Sequence, residues 1–178
     1  TESREKVDAV LNKEPNNIAA LFLLAGILDL EKNLFEAASV FEKIKEIDSK
    51  QTRAYLGLAS VLVRQGKRSE AETILRQAVE VDPKDTKPHL ALFSFYISRK
   101  AFDRAEAELK KTIDVNPGDA DLHIVLGNFY FSRNDKDKAE AAYLKAIEAD
   151  SKNIKPYMVI AGFYDVAGSK DQALTMYN

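Results

Sequence analysis

One spacing constrains this chain more than any other feature. Pro15, Ser49, Pro83, Pro117 and Ser151 stand 34 residues apart, with no insertion or deletion between them. A fixed period of this length is the signature of a solenoid, in which each period is one helical pair that buries its apolar face only against its neighbours. Stacked pairs form extended binding surfaces rather than catalytic pockets.

Counting back from these marks gives units 18–51, 52–85, 86–119 and 120–153, a partial unit 154–178, and a preceding stub, 1–17. Each full unit reads as two amphipathic helices, because apolar and small residues recur three and four apart. Position 4 of the units carries Leu21, Tyr55, His89, His123 and Tyr157, and position 7 carries Leu24, Leu58, Leu92, Leu126 and Ile160. Position 8 is Ala25, Ala59, Phe93, Gly127 and Ala161, and position 11 is Leu28, Leu62, Tyr96, Tyr130 and Tyr164. In the second helix, alanine fills position 20 every time: Ala37, Ala71, Ala105, Ala139 and Ala173. Position 24 is Phe41, Leu75, Leu109, Tyr143 and Tyr177, and position 27 is Ile44, Ala78, Thr112 and Ala146. Small residues at 8 and 20 let two helices approach closely, and large ones at 4, 7, 11 and 24 fill the space beside them.

The pattern resembles the tetratricopeptide repeat over nearly the whole chain. The resemblance implies an all-α fold, a right-handed superhelical solenoid of antiparallel helix pairs in one domain, 1–178. Two departures are local: histidine at position 4 in two units, and Phe93 at a normally small position, where looser packing is expected. The expected helices are 2–13, 18–31, 34–47, 52–65, 68–81, 86–99, 102–115, 120–133, 136–149, 154–167 and 170–178. Proline resists helix continuation at the marks, and the Asp, Asn and Ser beside them are expected to cap the next helix. Lys32, Gly66, Lys100, Asn134 and Gly168 fall in the inner turns. Residues 1–14 read as the second helix of an earlier unit, with Val7 at its large and Val10 at its small position, and the last helix stops at Tyr177 just short of Asn178. The repeat runs off both ends of the sequence without a polar capping helix, so a fragment of a longer repeat protein is expected.

In this family the first helices line the concave face, and the resemblance points positions 2, 5, 9 and 12 into that groove. Position 5 is apolar throughout: Phe22, Leu56, Leu90, Ile124 and Met158. Position 9 is small or short and polar: Gly26, Ser60, Ser94, Asn128 and Gly162. Position 12 is Asp29, Val63, Ile97, Phe131 and Asp165, and charges at one rim include Arg53, Arg64 and Lys87. Such a surface suits a protein or peptide ligand with apolar anchors, and Asn128 offers it both a donor and an acceptor. Two readings of position 5 stand side by side, as exposed anchor or as core against the neighbouring unit. Arg53, Arg64 and Lys87 read equally as ordinary solvated charges. One specialisation of the family, a clamp of Lys and Asn side chains for the C-terminal carboxylate of chaperones, is not matched. Position 5 is never Lys, position 6 is Leu23, Gly57, Ala91, Val125 and Val159, and only Lys87 and Lys155 agree with it.

Composition excludes several classes. The chain has no cysteine, so disulfides, thiolate metal sites and cysteine nucleophiles are out. Its net charge of −2 argues against a nucleic-acid partner. No apolar run reaches the ~20 residues of a membrane span. His89 and His123, one period apart, read as amphipathic rings in an aromatic slot rather than as a metal or catalytic pair. No phosphate-binding loop, HExxH or GxSxG is present, so neither enzymatic activity nor a cofactor is expected. The leading expectation is a protein–protein interaction scaffold. The alternatives are a self-assembly element joining copies through uncapped ends, and the non-catalytic arm of a larger enzyme or of a secretion or polysaccharide-export component. A Lys/Glu/Ala-rich chain with no N-glycosylation acceptor reads as bacterial, cytoplasmic or periplasmic.

Overall fold

A computed structural model describes residues 2–177, without the side chain of Tyr177. The expectations for Thr1, for the Tyr177 ring at position 24 and for a last helix reaching Asn178 lie outside the described residues. Every regular element among them is an α-helix. The chain forms two compact units, residues 1–99 and 100–178, so the boundary falls inside the 86–119 repeat, between its two helices. The first unit holds α1 (Glu2–Lys13), α2 (Ile18–Leu30), α3 (Leu34–Ile47), α4 (Thr52–Arg64), α5 (Arg68–Val81) and α6 (Thr86–Ser98). The second holds α7 (Phe102–Val115), α8 (Ala120–Ser132), α9 (Lys136–Ala149), α10 (Ile154–Ala167) and α11 (Lys170–Tyr177). Helices α2, α4, α6 and α8 each stop one residue short of the expected bound, because position 14 is their C-cap.

Within the units α2 packs on α3, α4 on α5, α8 on α9 and α10 on α11. A short turn between two packed helices makes them antiparallel. The turn has one solution throughout. Lys32, Gly66, Lys100, Asn134 and Gly168 all occupy position 15, and all have φ between 56° and 83°. In four of these turns the N–H of the next residue returns to the carbonyl of position 11, at 2.8–3.0 Å, and closes the helix end.

Alanine at position 20 is buried in every repeat. Ala37, Ala71, Ala105 and Ala139 are fully buried, and Ala173 nearly so. Position 27 is sealed as well, even for Thr112, whose hydroxyl donates to the Glu108 carbonyl at 2.8 Å. Val10 departs from that expectation and is 41% exposed, whereas Val7 is buried. Position 27 packs against its own unit's first helix, and the described residues hold no such helix for α1. Phe93 is half-buried where Ala25, Ala59, Gly127 and Ala161 serve the other repeats. The aromatics at position 24 use small partners: the Phe41 ring lies against Gly57 and the Tyr143 ring against Gly127, with no room for a Cβ at either glycine.

Two polar contacts recur with the period. Position 4 closes the turn between repeats: the Tyr55 hydroxyl donates to the Ser49 carbonyl at 3.1 Å and the Tyr157 hydroxyl to that of Ser151 at 3.3 Å. His89 and His123 do the same through Nε2 to Pro83 and Pro117, at 3.1 and 3.4 Å. The caps of the first helices sit two residues beyond the marks rather than beside them. Asn17, Asp85, Asp119 and Asn153 accept the main-chain N–H bonds, while Asp48 and Asp82 hold the turn itself by accepting from Lys50 and Lys84.

The second recurring contact is between repeats. Tyr96 donates to Glu72 (3.1 Å), Tyr130 to Glu106 (2.7 Å) and Tyr164 to Glu140 (2.6 Å), in each case from position 11 to position 21 of the repeat before. Arg76 joins the first pair and Lys110 the second. Hydrogen bonds from Lys110 and Tyr130 hold the Glu106 carboxyl below its ordinary range. Position 25 beside Glu140 is Leu144, which brings no cation, and burial with the carboxylate pushes the Tyr164 hydroxyl from 10.0 up to about 12.

Two predictions follow from turn and lock. Lysine in the left-handed region costs about 1 kcal/mol relative to glycine, so Lys32→Gly is expected to raise the urea midpoint, and Gly66→Ala to lower it by a similar energy. For Tyr164 the fold favours the protonated phenol. Its contribution is therefore complete below pH 10 and is lost as pH rises from 10 toward 12. Urea titrations across that range should show a shallower alkaline loss in Tyr164→Phe than in the parent chain.

Candidate functional site

In the first unit, core-facing positions 4, 7, 8 and 11 turn positions 2, 5, 9 and 12 of α2, α4 and α6 to the other helix face. Phe22, Leu56 and Leu90 at position 5 are half-buried, as is Ile97 at position 12. Phe22 packs edge-on to Phe41 with centroids 6.3 Å apart, and the Arg53 guanidinium lies 4.4 Å over its ring. A concavity of about 590 Å³ opens there, lined by Ile18, Ala19, Phe22, Leu23, Gln51 and Arg53. At position 9 of the same helices Gly26, Ser60 and Ser94 are exposed, and a Cβ on Gly26 would meet nothing within 4 Å.

The charges along this face divide by partner. Arg64 is ion-paired with the Asp29 carboxylate, so its charge is offset within the unit. Lys87 is exposed; its main-chain N–H donates to Asp85 at 3.0 Å, and its ammonium has no partner among the described residues. Arg53 has only the Phe22 ring. Arg53 and Lys87, at position 2 of successive repeats, thus carry no carboxylate partner among the described residues.

The second unit corrects part of the expected groove. Ile124 is 6% exposed and clusters with Ala120 and Ala146, backed by Val159, so it belongs to the core and offers little surface to a ligand. Asn128 is exposed, but its Oδ1 accepts from the Tyr143 hydroxyl at 2.8 Å, which leaves chiefly its amide N–H groups to donate. The Tyr143 ring that fills the Gly127 notch thereby orients Asn128. Phe131 is half-buried and edge-on to Phe163, with centroids 5.6 Å apart, whereas Met158 is 59% exposed. Asp121 and Lys155, both at position 2, pair at 2.8 Å.

Leu23 escapes the position rules. At position 6 it stands 62% exposed in the concavity beside Phe22, where the corresponding residues of the other units are Gly57, Ala91, Val125 and Val159. Its size relative to that register was the available signal. His89 and His123 are buried and belong to different units, each with Nε2 on a turn carbonyl. A carbonyl only accepts, so Nε2 carries the proton. The described residues contain no group of three or more His, Cys, Asp or Glu side chains able to hold a metal. No described helix is long and apolar enough to cross a membrane.

Comparison with known proteins agrees with this geometry. Two family models, both described as tetratricopeptide repeat, match residues 30–93 and 94–154. No curated protein matches the chain by sequence. Among solved structures, a crystal structure of MamA is similar at TM-score 0.60 with 24% identity, covering 86% of this chain and 90% of that one. BtubC from P. vanneervenii is similar at TM-score 0.67 with 16% identity, over 98% of this chain and 84% of its own. YrrB, described as a TPR protein with an unusual peptide-binding site, is similar at TM-score 0.56 with 18% identity, over 96% and 88%. At these identities the structures attest the shared fold. From the 34-residue register, the paired helices and the family models together, this chain belongs to the tetratricopeptide repeat family.

Proposed function

We propose that the chain is a scaffold without chemistry of its own, and that it holds a peptide or an extended segment of a partner protein against the first-helix face. The observation that carries this reading is the concavity on the first unit. There Phe22 and the exposed Leu23 stand beside Arg53, and position 9 of the same helices is small or polar and exposed, as Gly26, Ser60 and Ser94. An apolar anchor in that concavity covers the two side chains, and backbone amides of the ligand reach the two serines. Arg53 and Lys87 add a preference for a carboxylate on the ligand, because neither is ion-paired among the described residues. In the second unit Phe131, Met158 and the Asn128 amide are the matching contacts. The peptide-binding site attributed to YrrB supports the reading by analogy of fold.

Panning a displayed library of random peptides against the full chain tests this. The selected peptides should combine apolar residues with Asp or Glu. Leu23→Glu, on an exposed side chain, should weaken them about tenfold or more, and Arg53→Glu should abolish the acidic preference. Peptides that ignore both substitutions would remove the proposal.

A second reading, association between copies, is favoured by α10, where Ile154 and Val166 are each 72% exposed and Met158 59%. Large apolar side chains exposed along one helix are what association between copies would cover. Light scattering should then show a concentration-dependent rise in mass that Val166→Glu suppresses, and a monomer at every concentration excludes it.

A further inference from the structure

The junction between the first two repeats departs from the repeat register in three places, and the three meet in space. Position 18 is Phe35, where the other units carry Ser69, Asp103, Asp137 and Asp171. Position 21 is Ala38 rather than glutamate, and the position 11 opposite it is Leu62 rather than tyrosine. The Tyr–Glu lock described for the three later junctions is thus absent here, and with it a carboxylate and a phenol ring. Phe35, Ala38 and Leu62 instead line a depression of about 580 Å³ on the second-helix side of the first unit, framed by α3, α4 and α5. Phe35 is 73% exposed at its edge.

The polar groups around this depression are nearly all committed. Gln65 Nε2 donates to the Leu34 carbonyl at 2.8 Å and the Ser39 hydroxyl to the Phe35 carbonyl at 3.1 Å. On the rim, Lys43 donates to the Pro15 carbonyl at 2.7 Å, Lys67 pairs with Glu70 at 3.4 Å, and Glu42 pairs with Lys45 at 3.0 Å. Glu46 alone on that rim has no partner among the described residues. The lining holds three carboxylates against two ammonium groups. An apolar floor beside an unpaired carboxylate is therefore what the surface presents, and its sign repels a phosphate backbone.

We propose that this depression is a docking surface for a segment of a partner protein that carries one bulky apolar side chain next to a lysine or arginine. The apolar side chain covers Phe35, Ala38 and the edge of Leu62, and the cation meets Glu46. The surface lies on the second-helix side, so it is independent of the proposed groove and lets the first unit hold two segments at once.

The test uses the full ¹⁵N-labelled chain and two short peptides, each with a central Phe-Leu pair, flanked by lysines in one and by glutamates in the other. The lysine peptide should shift the amides of Phe35, Ala38, Glu46 and Leu62 with an affinity at least about tenfold tighter than the glutamate peptide shows at those same amides, whatever the glutamate peptide does on the first-helix face. The double variant Ala38→Glu/Leu62→Tyr installs the pair that the other junctions fold around, and it should lower binding about tenfold. Glu46→Lys, on an exposed side chain, should abolish the preference for lysine, whereas Leu23→Glu on the first-helix face should leave binding unchanged. The proposal is overturned if the lysine peptide does not bind, if its shifts fall on the first-helix face, or if Glu46→Lys leaves the charge preference intact.

Discussion

Close approach at position 20 is the constraint on which the rest depends. A buried alanine at this position of the second helix lets a neighbouring helix backbone come close, and a larger side chain would prise the two apart. That distance decides what the flanking positions must hold. Phe41 and Tyr143 reach onto glycines, and the Tyr–Glu locks form where the first helix of the next repeat lies close enough to the second helix for a phenol to meet a carboxylate. The apolar burial is short-range and repeated, so each repeat depends on its neighbours rather than on one central core.

Helix positions, inner turns and the buried faces were legible in the sequence, because the period applies one test five times. Residues whose role is fixed by register, such as Ala71 or Leu58, could be placed by counting alone. The histidines were legible as ring-fillers, but their hydrogen bonds to Pro83 and Pro117 were not. Those bonds connect a side chain to a carbonyl six residues back, a relation that appears only when the turn is built.

The binding face was harder to read, for two physical reasons. Position 5 is shared between the surface and the neighbouring repeat, so the same apolar residue type is half-exposed as Leu56 and buried as Ile124. Pairing of charges is equally invisible to register. Arg53 and Arg64 look alike in sequence, yet one stacks on an aromatic ring and the other is neutralised by Asp29. The register identifies residues by agreement, whereas Leu23 and Phe35 matter because they depart from it.

The Tyr–Glu contacts also act as a rule of adjacency. A repeat with glutamate at position 21 buries that carboxylate partly, and a following repeat with tyrosine at position 11 supplies it a donor from across the junction. The 18–51 repeat, with Ala38, makes no such demand and accepts Leu62. The inner turns share one conformation, so repeats differ chiefly at their junctions. Reordering them would therefore set glutamates at position 21 against residues other than tyrosine. The sequence of repeats is in this sense written into their interfaces, independently of whatever partner the surfaces hold.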